Sequence, residues 1–138
     1  MAMNSLFYSV FASLISFKSA AQLAHWNVVG KDFYQLHLLF ERIYETLDAQ
    51  VDTFAEQARG LGIEIPAHVF NQVPDLEWET GTDLVEWLMT LCLRYKSDLD
   101  LIRDVAEQEK QFGFVNVIEG FLSDSNSLCY LLKSVLES

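Results

Sequence analysis

Two histidines and several carboxylates are spaced between residues 25 and 56 in a way that could bind a metal ion. His25 and His37 lie twelve residues apart, and Glu41 follows His37 by about one helical turn. Asp52 and Glu56 come further along, again four residues apart, a spacing that puts two side chains on one face of a helix. Imidazole nitrogen and carboxylate oxygen together are a ligand set that suits iron or zinc.

The same spacing also fits a structural interpretation. Acidic side chains four residues apart, Asp48 and Asp52 among them, often form only a solvated helix face, and a histidine is often structural. The series lies one residue past the apolar stripe of its segment, about 100° around the helix from it, so it borders the core. From these spacings alone, a metal site and a solvated face both remain open.

Four long amphipathic helices must position these side chains, because apolar residues recur every three or four positions in four segments. In the second segment the core stripe includes Phe33, Phe40 and Phe54. The first predicted helix runs from a cap at Asn4 or Ser5 to Gly30, and the second from an N-cap at Asp32 to Gly60 or Gly62. A connection with a short helix at 68–72 follows over residues 61–81. The third helix runs from a cap at Thr82 to a break at Phe112–Gly113, and the fourth from Phe114 to the end of the chain.

Composition agrees with an all-α fold in a single domain over residues 1–138. Hydrophobic residues make up 51% of the chain and include ten phenylalanines, enough to fill a core, whereas six glycines and two prolines leave little material for turns. At about 1.5 Å per residue the helices are long enough to form a four-helix bundle with one longer crossing connection.

Charge and cysteine usage narrow the class of protein further. Nine basic residues against twenty acidic ones give a net charge of −11, which repels nucleic acid and attracts cations. The fully apolar runs are short, so we expect neither a membrane span nor a secretory signal.

Cys92 and Cys129 form no C-x-x-C pair and lie on or beside apolar stripes, so we expect buried thiols, no disulfide and a cytoplasmic location.

A dense series of motifs runs from His25 to Gly62. Its elements are His25-Trp26-Asn27-Val28-Val29-Gly30, Phe33, Leu36-His37, Phe40-Glu41, Val51-Asp52-Thr53-Phe54-Ala55-Glu56 and Leu61-Gly62. This combination closely resembles the Dps family, the miniferritins that protect starved bacteria, whose pattern is H-W-N-V-x-G, F-x-x-L-H-x-x-F-D, V-D-T-x-A-E and L-G.

The resemblance implies a ferritin-like four-helix bundle that assembles into a hollow, tetrahedral shell of twelve subunits. It also implies a ferroxidase centre at each two-fold interface, where hydrogen peroxide, or more slowly dioxygen, oxidises Fe(II) and the ferric mineral is stored inside. Iron is therefore the expected metal, with zinc as a surrogate.

The resemblance also assigns residues to this centre. His25, His37, Asp52 and Glu56 fall on the family's iron ligands. Glu41 falls where the family usually has Asp, keeping the charge while reaching one methylene further.

Trp26 matches the tryptophan that flanks the centre in the family. A plain packing aromatic is the alternative interpretation of this residue.

Two other functions compete with a ferroxidase. A Dps-type shell could act mainly as a DNA-binding or structural protein with a weak or inactive centre, but the acidic charge and the absence of a Lys/Arg-rich arm before the first helix predict weak or no DNA binding. A di-iron enzyme with its centre inside one bundle would need Glu-x-x-His on two helices, and no Glu here precedes a His by three residues.

Helix geometry predicts where each half of the centre comes from. His37 and Asp52 are separated by about 22 Å along a helix, so one chain cannot bring both to one ion. His37 and Glu56, and likewise Glu41 and Asp52, are symmetric about a point between residues 46 and 47. A second, antiparallel copy of the helix would therefore complete two equivalent centres, with His25 folding back to the His37 end.

Overall fold

The computed structural model describes residues 3–71, 73 and 75–137 of the 138-residue chain. Its elements are the helices α1 (Met3–Asn27), α2 (Phe33–Gly60), α3 (Gly81–Gln108) and α4 (Phe112–Leu136), with a short 3₁₀ helix (Ala67–Asn71) between α2 and α3. No strand occurs in these residues. The predicted all-α bundle with a long connection between its second and third helices is confirmed.

The helices pack around a core in which aromatic rings are prominent. α1 packs against α2 and α3, α3 packs against α4, and α2 touches α4 more sparingly. The rings of Phe7 and Phe54 stack with their centroids 4.6 Å apart, and Phe114 and Phe121 pack against Phe54 from α4. Burial of each phenylalanine stabilises the fold by about 1.5–3 kcal/mol. The cluster around Phe54 therefore holds the second half of α2 against α1 and α4.

α1 is long and apolar enough, by length and composition, to cross a membrane. In the structure 61% of its most apolar window is buried inside the bundle, and Phe7, Val10, Phe11 and Leu14 are at most 2% exposed. The apolar character of α1 is therefore accounted for by core packing.

The N-cap of α3 lies two residues before the predicted one. Thr80, not Thr82, is the N-cap: its side chain accepts a hydrogen bond from the Asp83 backbone N–H, and the Asp83 carboxylate accepts one from the Thr80 N–H. This reciprocal capping box satisfies two backbone donors that the helix leaves unpaired. Thr82 was the wrong choice because it lacks an acidic residue three positions later.

The other predicted ends are close to the observed ones. α1 begins at Met3, one or two residues before the expected cap. Asp32 does occupy the N-cap position of α2, although its side chain makes no capping hydrogen bond. α2 ends at Gly60, and Gly62 adopts a φ of +79°, as expected of a glycine that closes a helix.

The break between α3 and α4 falls at Lys110 rather than at Phe112–Gly113. Lys110 has a φ of +59°, its N–H donates to the carbonyl of Glu107, and the Gln111 N–H donates to the carbonyl of Ala106. This pair of bonds is a Schellman motif. A lysine here occupies the left-handed position that glycine usually fills, which is why the glycine at 113 was misread as the breaker.

The expectation of free thiols is wrong. Cys92 of α3 and Cys129 of α4 form a disulfide, with their Cα atoms 6.3 Å apart. The expectation failed because sequence separation gives no information on which turns of two antiparallel helices face each other. Burial was predicted correctly, since both residues lie in the core.

Candidate metal centre

A tight turn between α1 and α2 brings the two histidines together. Gly30 has a φ of +105°, a conformation that glycine adopts at little cost, and its carbonyl accepts a hydrogen bond from the Phe33 N–H. Val28 is buried beneath the turn. The chain therefore reverses in five residues, and the last turn of α1 faces the first turns of α2.

The imidazole rings of His25 and His37 stack face to face at this end of the bundle. Their centroids are 3.7 Å apart and their planes differ by 16°. Nδ1 of His25 donates to the backbone carbonyl of His37, and Nδ1 of His37 donates to the carbonyl of His25, both at 2.8 Å. The expectation that His25 folds back to the His37 end is confirmed.

These hydrogen bonds determine which nitrogen of each ring is available to bind a metal ion. A carbonyl oxygen can only accept, so each Nδ1 carries the proton, and in a neutral imidazole Nε2 then keeps its lone pair. Metal-binding histidines commonly donate their other N–H to a carbonyl or carboxylate, which fixes the tautomer and the ring orientation. Both rings are thus held with the Nε2 lone pair available to bind a metal ion.

Two aromatic rings enclose the pair. Phe33 stacks on His37 with centroids 4.9 Å apart, and the ring of Tyr44 meets His25 edge-on at 5.2 Å. Phe33 was expected in the core stripe, but it is 40% exposed, so that prediction is wrong. Phe33 is the first residue of α2, where its ring packs on His37 rather than in the core.

Tyr44 was missed by the sequence reasoning. Its spacing of seven residues from His37 puts both side chains on the same face of α2, and this was the available signal. Desolvation raises the pKa of Tyr44, and the charges of Glu41, Glu45 and Asp48 raise it further. The phenol therefore stays protonated near neutral pH and is available as a hydrogen-bond donor.

The carboxylates of the predicted set do not join the histidines within one chain. Glu41 is half-buried one turn beyond His37, whereas Asp52 and Glu56 are exposed much further along α2. In the described ranges no three His, Cys, Asp or Glu side chains are grouped to hold a metal ion. Within one chain, therefore, His25 and His37 lie together, and Asp52 and Glu56 lie apart from them.

Asp48 has a different role from the rest of that acidic series. Its carboxylate lies 3.6 Å from Nζ of Lys18, which links α1 to α2 by an ion pair. The pair is largely exposed on the Asp48 side, so its contribution to stability is small.

Exposed apolar side chains surround the histidine end. Trp26 is 63% exposed and Tyr34 67% exposed, and Leu38 is exposed as well. Trp26 therefore does not pack into the core of its own chain, and the plain packing interpretation fails within the monomer. Its position next to His25 is compatible with the expected flanking role.

Comparison with known proteins assigns this chain to a family. The ferritin-like domain family matches residues 10–138. The DNA protection during starvation protein of Brevibacillus brevis is 23% identical over 119 residues, which is 82% of this chain and 80% of that protein. A low temperature-induced protein of Nostoc is 26% identical over 125 residues, 82% of this chain and 68% of that protein.

Solved structures agree in fold. A Dps protein from Bacillus brevis superposes with a TM-score of 0.87 at 21% identity, covering 98% of this chain and 95% of that one. Vibrio cholerae Dps, described as a member of a broad superfamily of ferritin-like diiron-carboxylate proteins, gives 0.89 at 19% identity over 98% and 89% of the two chains. The chain therefore belongs to the ferritin-like domain family, and its fold is that of the Dps proteins.

Proposed function

We propose that this chain is a subunit of a Dps-type miniferritin that oxidises Fe(II) and stores the ferric product inside a hollow shell. The observation that carries the proposal is the reciprocal pair of hydrogen bonds between His25 and His37. They hold two Nε2 donors at the end of the bundle where the sequence predicts half of a ferroxidase centre. Oxidative-stress protection would follow, because the reaction removes both Fe(II) and peroxide.

Iron is the substrate of the proposed reaction. Imidazole nitrogen and carboxylate oxygen suit Fe(II), and they also bind Zn²⁺, which cannot change its oxidation state and would act as a surrogate inhibitor. Two Fe(II) ions supply two electrons, which with two protons reduce one hydrogen peroxide to two water molecules. We propose peroxide as the preferred oxidant and dioxygen as a slower one.

The proposed centre needs two subunits. His25, His37 and Glu41 would come from one chain, and Asp52 and Glu56 from a neighbour whose α2 runs antiparallel across a two-fold axis. Trp26, exposed beside His25, would then be covered by the neighbour and flank the centre. Twelve such subunits would form the shell, and we place it in the cytoplasm.

Activity and assembly can be measured together. We expect the parent to scatter light as a large shell and to oxidise Fe(II) rapidly after peroxide is added. The variant His25→Ala/His37→Ala should assemble and oxidise Fe(II) at least about ten-fold more slowly, because it lacks two of the proposed ligands. Oxidation at the parent rate would mean that the centre lies elsewhere.

Mixed shells test the crossing of the interface. A second variant, Asp52→Ala/Glu56→Ala, should also be slow on its own. When the two variants assemble together, a mixed dimer has one centre that lacks all four ligands and one intact centre, so part of the activity should return. Verified mixed shells with no recovery would show that the ligands do not cross between subunits.

DNA binding is the competing function, and the name of the Brevibacillus relative refers to DNA protection. We propose that it is weak here, because twelve copies at −11 each carry −132 in total and repel an anionic duplex. A gel shift at low salt tests this. A retarded complex that weakens steeply as salt rises would favour a DNA-binding shell instead.

A further inference from the structure

The disulfide between α3 and α4 lies in a part of the bundle that the proposed iron centre does not use. Cys92 is fully buried, and Cys129 retains 7% of its exposure. Disulfides in cytoplasmic proteins are uncommon and are usually transient, taking part in catalysis or redox sensing. In the cytoplasmic location proposed above, this pair therefore needs an oxidant of its own.

The same packing also accommodates the reduced pair. The backbone carbonyl of Ser125 lies 3.6 Å from Sγ of Cys92, within reach of a hydrogen bond from a thiol. The Cα separation of 6.3 Å lies in the range that a disulfide requires. The two helices thus hold Cys92 and Cys129 at a distance that suits a disulfide, and the Cys92 thiol would have an acceptor within reach when the bond is reduced.

The surroundings of the two sulfurs differ, and the difference assigns an order to their reactions. Cys129 is the more accessible, so a small oxidant would reach it before Cys92. The hydroxyl of Ser125, one helical turn before Cys129, is completely buried and has no hydrogen-bond partner among the described residues. In the reduced protein, a hydrogen bond from this hydroxyl to the Cys129 sulfur, one turn along the helix, would favour the charged, nucleophilic form of that cysteine.

We propose that Cys92 and Cys129 are a thiol pair that reduces hydrogen peroxide independently of the iron centre. The thiolate of Cys129 attacks one peroxide oxygen, the O–O bond breaks, and a sulfenic acid and hydroxide form. The thiol of Cys92 then attacks the Cys129 sulfur, the S–O bond breaks, and a disulfide and water form. In total, two thiols lose two electrons and two protons, and one peroxide becomes two waters.

The inference rests on the proposed function in two respects, which are the choice of peroxide as the oxidant and the cytoplasmic location. Its residues, which lie on α3 and α4, are distinct from the proposed ligands on α1 and α2. The thiol reaction can therefore be measured without iron, and iron oxidation can be measured without thiols.

The first test uses the assembled protein, reduced, freed of reductant and kept in a metal chelator. Peroxide is added in steps, and thiols are counted after denaturation under acid quench. We expect both thiols of each chain to disappear with one peroxide consumed, and a disulfide-linked pair of peptides containing Cys92 and Cys129. Thiols that persist in excess peroxide, or that vanish equally fast in its absence, would overturn the proposal.

Matched variants test the assigned order. Cys92→Ser should leave a sulfenic acid at Cys129 that a 1,3-diketone probe traps, whereas Cys129→Ser should be labelled at less than about a tenth of that rate. Ser125→Ala should slow the loss of thiols several-fold while circular dichroism and shell size stay unchanged. Equal labelling of the two cysteine variants would refute the assigned order.

A last variant separates this proposal from the ferroxidase. Cys92→Ser/Cys129→Ser should oxidise Fe(II) with peroxide at the parent rate, since neither sulfur belongs to the iron centre. If the parent then loses thiols but oxidises no iron, the thiol proposal stands and the ferroxidase proposal fails. The converse result would leave the ferroxidase and remove the thiol reaction.

Discussion

His25 and His37, beside the turn between α1 and α2, are each oriented by the backbone of the other. Nδ1 of His25 donates to the carbonyl of His37, and Nδ1 of His37 donates to the carbonyl of His25. Because the acceptors are main-chain atoms, replacing one side chain leaves the hydrogen bond of the remaining ring in place. The two rings are therefore fixed separately, although they stack on each other.

This arrangement predicts graded metal binding. His25→Ala and His37→Ala should each weaken Zn²⁺ binding by at least about ten-fold, the scale on which even outer-shell changes act. The double variant should bind more weakly than either, since each single variant keeps one oriented ring. Calorimetric titration of the metal-free protein measures this, with His68→Ala, in the connection between α2 and α3, as the matched control. A single variant as weak as the double would contradict separate fixation.

Glu41 offers a second test of the ligand set. Glu41→Gln keeps the shape and removes the charge, so Fe(II) oxidation should fall by about ten-fold or more if this carboxylate binds iron. Glu41→Asp restores the family's usual residue and should stay within about three-fold of the parent. Stopped-flow absorbance of the ferric product provides the rates. Equal rates for the parent and Glu41→Gln would remove Glu41 from the centre.

The sequence predicted those features that depend on local periodicity. Apolar spacing was enough for the four helices, and the motif series was enough to select His25 and His37. Their ring stacking was not predictable, because it depends on the left-handed φ of Gly30 and on where the turn directs α2. The disulfide between Cys92 and Cys129 was missed for a related reason, since it depends on the axial register of α3 against α4.

The unusual lysine between α3 and α4 predicts a stabilising substitution. Lys110 has a φ of +59°, a conformation that costs a non-glycine residue about 1–2 kcal/mol. Lys110→Gly should therefore raise stability by about 0.5–1 kcal/mol, part of the gain being lost to the flexibility of glycine in the unfolded chain. Thermal midpoints at one protein concentration measure the change.

Lys31→Gly is the matched control, because it removes the same charge from a turn residue that lacks a positive φ. It should leave the midpoint unchanged or lower it. If both glycine variants shift the midpoint by the same amount, the effect comes from charge rather than from the backbone of Lys110.

The capping box of α3 predicts a pH dependence. Backbone N–H groups of Glu79 and Thr80 donate to the carboxylate of Asp83 and lower its pKa below the usual 3.8. A lowered pKa stabilises the folded state above the unfolded value, and this contribution is lost as the pH falls through the folded value. Asp83→Asn should therefore lower the thermal midpoint at pH 6, and the difference should shrink below pH 3.8.

Asp100→Asn, at an exposed position in the middle of the same helix, is the control for general acid effects. Its difference from the parent should be small throughout. A difference for Asp83→Asn that stays constant down to pH 2 would mean that the carboxylate charge at Asp83 does not stabilise the cap.

A partly buried chain of hydrogen bonds links three helices. The Tyr95 hydroxyl donates to Oε1 of Gln50 at 2.7 Å, and Nε2 of Gln50 donates to Asp124 at 3.0 Å. Gln50 and Tyr95 are buried, and burial, aided by the charge of Asp124, raises the pKa of Tyr95 well above its usual value. The phenol therefore stays protonated near neutral pH and donates this hydrogen bond.

Removing both partners of the hydrogen bond between Tyr95 and Gln50 should cost less than the two single removals added together. Tyr95→Phe leaves Oε1 of Gln50 buried and unpaired, and Gln50→Leu does the same to the Tyr95 hydroxyl, so each should lower stability by about 1–3 kcal/mol. The double variant leaves only Asp124, whose exposed carboxylate water can solvate, so its loss should be smaller than the two single losses combined. Urea unfolding of all four proteins gives the coupling energy, expected at about 0.5–3 kcal/mol. Additive losses would show that the hydrogen bond between Tyr95 and Gln50 does not hold α2 against α3.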